Sequence, residues 1–161
     1  MKKLMFVILI FLLFLNIGFT KEITNGGSLD NLKNVKVIFD VNVGKPKLLL
    51  LRLKLIEKTL IQIKKSGVNY EAVVAFRGGA TDYITKGDHY VPKKFLEYKR
   101  KIRKQLLILK DMAVVLQQCA VAAKLKGVDL EDILDFVTVV KNGYISLIGY
   151  QNKGYALVPM D

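Results

Sequence analysis

Five short β-branched and aliphatic runs, each followed by a helical stretch or a turn, constrain this chain more than any other feature. They are Val35–Val41, Tyr70–Phe76, Met112–Leu116, Phe136–Val140 and Tyr155–Val158. Near-continuous Val/Ile/Leu strands, rather than alternating ones, imply a sheet buried on both faces. Between the first two runs, Leu48–Lys65 carries Leu49, Leu53, Ile56, Leu60 and Ile63 on one helical face. Pro46 stands near its start and Gly67 closes it. Helices are expected again over Lys93–Lys110, Cys119–Lys126 and Gly143–Asn152, with a helical turn at Asp129–Asp135 opened by Asp129 as N-cap. Strand and helix alternating in this way predict an α/β fold: a three-layer sandwich with a mostly parallel five-stranded sheet flanked by helices.

The ends of the chain read differently. Lys2 and Lys3 precede an apolar run from Leu4 to Leu15, which has the form of a signal peptide and falls short of a membrane span of roughly 20 residues. Residues 1–20 are therefore expected to be a signal peptide or, if uncleaved, an N-terminal anchor. Residues 21–34, with Asn25-Gly26-Gly27-Ser28, read as a flexible linker, and 35–161 as the α/β domain. The expected location is exported, periplasmic or otherwise extracytoplasmic, with membrane attachment only if the first segment is retained. Loss of Lys2 and Lys3 would take the formal charge from +12 to +10.

Composition removes several classes of chemistry. A single Cys and a single His exclude a zinc site built from several such ligands, and no intramolecular disulfide can form. No G-x-S-x-G, G-x-G-x-x-G or G-x-x-x-x-G-K-[ST] occurs. Neither a metal nor an organic cofactor is expected.

In a parallel open sheet, ligands collect outside the carboxyl ends of the strands. Cys119 falls there, just after the third strand and at the start of a helix, where unpaired amides and the helix dipole favour thiolate. Lys124 and Lys126 add positive charge nearby. The plain alternative is a small buried apolar residue among Ala120, Val121, Ala122 and Ala123. Arg77-Gly78-Gly79-Ala80 follows the second strand at the same edge, either as an anion-binding backbone or as an ordinary glycine turn. His89, beside Asp82, Asp88 and Tyr90, is either a proton shuttle or a surface histidine. The helix Lys93–Lys110 carries eight Lys or Arg residues against one acid, Glu97. It reads as a solvated face, or as a docking surface for an acidic protein or an anionic membrane. With an export signal, nucleic acid is not the expected partner.

Leu109 to Cys119, then Gly127-Val128-Asp129-Leu130, Asn142-Gly143, Gln151 and Gly154 to Pro159 resemble, in that order, the DsrE/DsrF-like family of sulfur-relay proteins. The resemblance extends from Val35 to Pro159. It implies a five-stranded α/β sandwich assembled into homotrimers or homohexamers, with a sulfane sulfur carried on Cys119 at the end of the central strand. Taken with the export signal read from Lys2 to Leu15, the expected function is an exported sulfur carrier, sulfurtransferase-like if it turns over. Cys119 would take sulfur from a donor and pass it to an acceptor thiol or carrier protein, with Arg77, Gly78, Gly79 and Lys124 binding the anionic donor. The alternative is a non-catalytic oligomeric binding protein with a buried, inert Cys119 and a basic docking helix.

Overall fold

The computed structural model describes residues 23–161. The expected signal or anchor segment, and the first two residues of the linker, lie outside them. The described residues divide into two units, 23–30 and 31–161. In the first, residues 26–30 run as turns, closed by Ser28 N–H on the Asn25 carbonyl and Asp30 N–H on that of Gly27.

The second unit strings together β1 (Asn34–Val41), α1 (Pro46–Lys65), β2 (Asn69–Phe76), α2 (Leu96–Asp111), β3 (Val115–Cys119), α3 (Ala120–Leu125), β4 (Thr138–Val140), α4 (Gly143–Asn152) and β5 (Ala156–Pro159). The sheet order is β4-β3-β2-β1-β5, and every pairing between these strands is parallel. From β1 to β4 the chain steps one way across the sheet. Right-handed crossovers then put α1 and α2 on one face. The step from β4 to β5 returns across the whole sheet, which carries α4 onto the opposite face.

The two faces are unequal. Val37, Phe39, Val41, Val74, Phe76 and Leu116 point toward α1 and α2 and pack with Leu49, Leu53, Ile102 and Leu106 in the main core. On the other side Ile38, Val73 and Ala75 meet Leu147, with Tyr150 and Tyr155 against them. Sheet residues at its margins, Val115 and Leu157, stay exposed. Among the described residues no helix is long and apolar enough to cross a membrane.

Among the described residues all four α-helices end in the same two-bond motif, in which a residue with positive φ lets two successive amides turn back onto the last turn. Gly67, which the sequence marks as a helix end, fills that position, as do Gly127 and Gly154, and Ala113 fills it after α2 with φ 61°. This last motif shifts β3. Residues 112–114 are spent closing α2, so the third strand runs three residues later than expected and includes Gln117, Gln118 and Cys119. Glutamines look like a strand ending. Here they stay in the strand with their amide nitrogens answered: Gln118 Nε2 donates to Thr81 Oγ1 and Gln117 Nε2 to the Tyr150 hydroxyl, while both Oε1 atoms are buried without a partner. The helix expected over Lys93–Lys110 likewise begins as a 3₁₀ turn at Lys93–Phe95.

Candidate functional site: a cysteine at the carboxyl edge of the sheet

Strand alternation builds this site. In β1 the odd residues Val37, Phe39 and Val41 face the main core, so Asp40 points to the α4 side. The same parity puts Arg77, just past β2, and Cys119, at the end of β3, on that side and at the same edge.

Cys119 is both the last residue of β3 and the N-cap of α3. Its sulfur accepts from two backbone amides, Gly143 N at 3.1 Å and Ala122 N at 3.4 Å. The first belongs to α4 and the second to α3, so the sulfur sits where two helices begin. The residue is 5% exposed. Gly143 permits the approach: a Cβ there would lie 3.1 Å from the Cys119 Cβ and 3.5 Å from its sulfur. Asn142 caps α4 with its Oδ1 accepting from Tyr144 N at 3.0 Å.

Beside the sulfur lies an ion-paired arginine. Arg77 donates from Nε and Nη2 to the two Asp40 carboxylate oxygens, at 2.7 and 2.6 Å. Its Nη1 donates to the Tyr144 hydroxyl at 3.2 Å. The Asp40 carboxylate raises the Arg77 pKa still further, so the fork is permanently charged.

A cleft of about 430 Å³ opens over these groups. Arg77, Gly78, Cys119, Asn142 and Tyr144 line it together with Val121, Ala122, Leu125 and Lys126. Lys126 is paired with Asp82 at 3.0 Å. Both cations lining the cleft therefore already have carboxylate partners, and much of its wall is aliphatic.

The structure redistributes the residues singled out from the sequence. Cys119, Arg77 and Gly78 come together. Lys124 does not: it lines a neighbouring groove with Val128, Leu130 and Lys141. Two residues later, at the C-cap of α3, Lys126 takes the place in the cleft. Gly79 gives its N–H to the Asn42 carbonyl at 3.0 Å, which removes that amide from anion binding. Its role is a close crossing, since a Cβ on Gly79 would lie 2.6 Å from the Gly44 Cα. His89 stands away from the cleft, largely exposed, with Nε2 3.7 Å from Asp132. Sequence reasoning missed Asp40 as a site residue. The signal was present, an acid at the inward register of a β-branched strand. The contact of Gly143 with the sulfur had no local signal.

The basic helix is also not a uniform charged face. Lys99 is 1% exposed, its ammonium donating to Thr85 Oγ1 at 2.7 Å and to the Gly87 carbonyl. Arg103 donates to the carbonyls of Thr85 and Lys86. Two of its cations therefore hold the 85–87 loop instead of facing solvent.

Fold and site together define an α/β protein with an all-parallel sheet and a lone cysteine held by two helix-initiating amides at the carboxyl edge. No family model matches the chain. It is similar to an uncharacterized protein of Aquifex aeolicus (strain VF5), 35% identical over 130 residues, or 78% of this chain. The chain spans 56% of that relative's length. Among solved structures it is similar to MTH1491, a protein of unknown function from Methanobacterium thermoautotrophicum. That match has a TM-score of 0.62 at 16% identity and covers 78% of this chain and 98% of the other. At that identity the likeness establishes the fold alone.

Proposed function

We propose that this protein is an exported sulfur carrier of the DsrE/DsrF-like kind, with Cys119 as the carrying residue. The observation that carries the reading is the pair of amide donors, from Gly143 and Ala122, converging on the Cys119 sulfur beside an open cleft. Backbone N–H groups fixed at a sulfur favour its anionic forms, both thiolate and persulfide.

The transfer needs no redox partner. Cys119 thiolate attacks the sulfane sulfur of a donor such as thiosulfate, forming a new S–S bond. The donor's own S–S bond breaks and its electron pair leaves on sulfite. An acceptor thiolate then attacks the terminal sulfur of the Cys119 persulfide, takes that atom, and returns Cys119 as thiolate. Arg77, held by Asp40, orients the Tyr144 hydroxyl at the mouth of the cleft.

The resemblance from Val35 to Pro159 supports a homotrimer or homohexamer. The exposed Tyr144, Ile145 and Ile148 on α4 give such an assembly apolar surface to bury. Light scattering on the protein should then give several times the monomer mass.

A second reading, a non-catalytic oligomeric binding protein, is favoured by the near-complete burial of Cys119. One experiment separates the two. Protein incubated with thiosulfate or polysulfide is examined by mass spectrometry for an added sulfur, about +32 Da, on the Cys119 peptide. Loading that disappears in Cys119→Ser, with the fold retained, supports the carrier. A thiol that neither loads nor alkylates until denaturant is added gives the binding module.

A further inference from the structure

The outer face of α1 and α2, remote from the cysteine, has its own chemistry. Lys47, Leu51, Lys54 and Lys58 recur at helical spacing along the exposed side of α1, and Lys101, Lys104 and Ile108 along that of α2. At one end of this face lies a groove of about 560 Å³. Its walls are Leu48, Leu50, Leu51 and the Tyr98 ring, with Lys45, Lys47 and Lys54 around them. Leu51 is 49% exposed and Ile108 42%. Among the described residues, Lys45, Lys47, Lys54, Lys58 and Lys104 form no ion pair, while Lys101 pairs with Glu97. The single acid of α1, Glu57, already accepts from Gln105.

We propose that this face docks on an anionic phospholipid surface, its lysines meeting headgroup phosphates and Leu51 entering the acyl boundary. Clustered without carboxylate partners, these cations set up a positive potential that attracts an anion from outside the fold. The aliphatic walls select which anion. A nucleic acid strand would want stacking platforms beside its phosphates, and only Tyr98 offers a ring. An acidic peptide would want amide or hydroxyl partners that the leucines do not supply. Lysines around exposed leucines match the interfacial region of a bilayer, where charge and apolar contact lie within one side-chain length.

The chain contains no Trp, so Leu51→Trp in the full-length protein is a clean reporter, with Ile145→Trp on the opposite face as its control. Vesicles of phosphatidylcholine containing phosphatidylglycerol should blue-shift Leu51→Trp emission, and added salt should reverse it. Pure phosphatidylcholine vesicles should leave it unchanged. Lys47→Gln with Lys54→Gln, folded by circular dichroism, should weaken vesicle sedimentation about fivefold per lysine. The idea is overturned if Leu51→Trp is already blue-shifted without vesicles, which would mean that another protein surface covers it. It is equally overturned if vesicles shift Ile145→Trp instead. Sedimentation unchanged by the lysine substitutions would assign binding to the Leu4–Leu15 run and sink the proposal. So would equal affinity for polyglutamate or an oligonucleotide.

Discussion

The Cys119 sulfur lies 3.1 Å from the backbone nitrogen of Gly143, a residue 24 positions further along the chain. That contact joins the end of β3 to the first residue of α4, and it tolerates no side chain without adjustment. Gly143 has no positive φ, so alanine there meets only the steric problem. Gly143→Ala should push the amide and sulfur apart by a few tenths of an ångström. On the proposed carrier reading, in which the thiolate does the chemistry, losing much of this amide donor is expected to slow alkylation of Cys119 by iodoacetamide about threefold or more at pH 7. Stability should fall by only about 1–2 kcal/mol. Unchanged alkylation, measured beside the denaturation midpoint, would remove the amide from any role at the sulfur.

Arg77 and Asp40 make a two-bond pair in which both side chains are largely buried. Removing one partner strands the other charge, so Asp40→Asn should cost about 3 kcal/mol in urea denaturation. Replacing both, Asp40→Asn with Arg77→Met, should recover part of that loss. A double-mutant cycle with no coupling would show that the pair is incidental to the fold.

Ala113 occupies a left-handed position that the other three helix ends give to glycine. The conformation costs an L-residue with a Cβ roughly 1 kcal/mol. Ala113→Gly should therefore stabilise the protein by somewhat less than that, because glycine also loosens the unfolded chain. Thermal denaturation will show a small rise in midpoint, and a fall would contradict the assigned strain.

Lys99 carries a pH signature. Burial pushes its ammonium below the ordinary lysine value of 10.5, although Asp88 pulls the other way. Between the lowered value and 10.5 the unfolded chain binds more protons at this site than the folded one, so stability contributed by Lys99 rises with pH across that window. Below it, both states are protonated and the contribution is flat, with the cost of burying the charge fully present. The stability difference between wild type and Lys99→Met, followed by denaturation from pH 7 to 11, should grow in favour of wild type toward the alkaline end. A pH-independent difference would mean that the buried ammonium has an ordinary proton affinity.

Much of the fold was legible because its signals are local. Leu49, Leu53, Ile56 and Leu60 repeat at helical spacing, and Gly67, Gly127 and Gly154 mark helix ends through a preference that needs no tertiary partner. Boundaries slipped where a residue acted against type. Ala113 closes a helix without glycine, and Gln117 and Gln118 extend a strand because Tyr150 and Thr81 answer them from elsewhere.

The sequence by itself determined the order of strands and helices, the parallel class of the sheet, and the arrival of Cys119 and Arg77 at one edge. Periodicity and connection length act within a few residues, and they suffice for that. Only the tertiary structure decided which groups meet. It brought Asp40 to Arg77 across 37 positions and Gly143 to Cys119 across 24. It buried Lys99 of a helix that looked solvated, and moved Lys124 out of the cleft in favour of Lys126. These contacts depend on strand order and on which face each crossover covers. The crossing from β4 to β5 fixes that face, and no short stretch of residues encodes it.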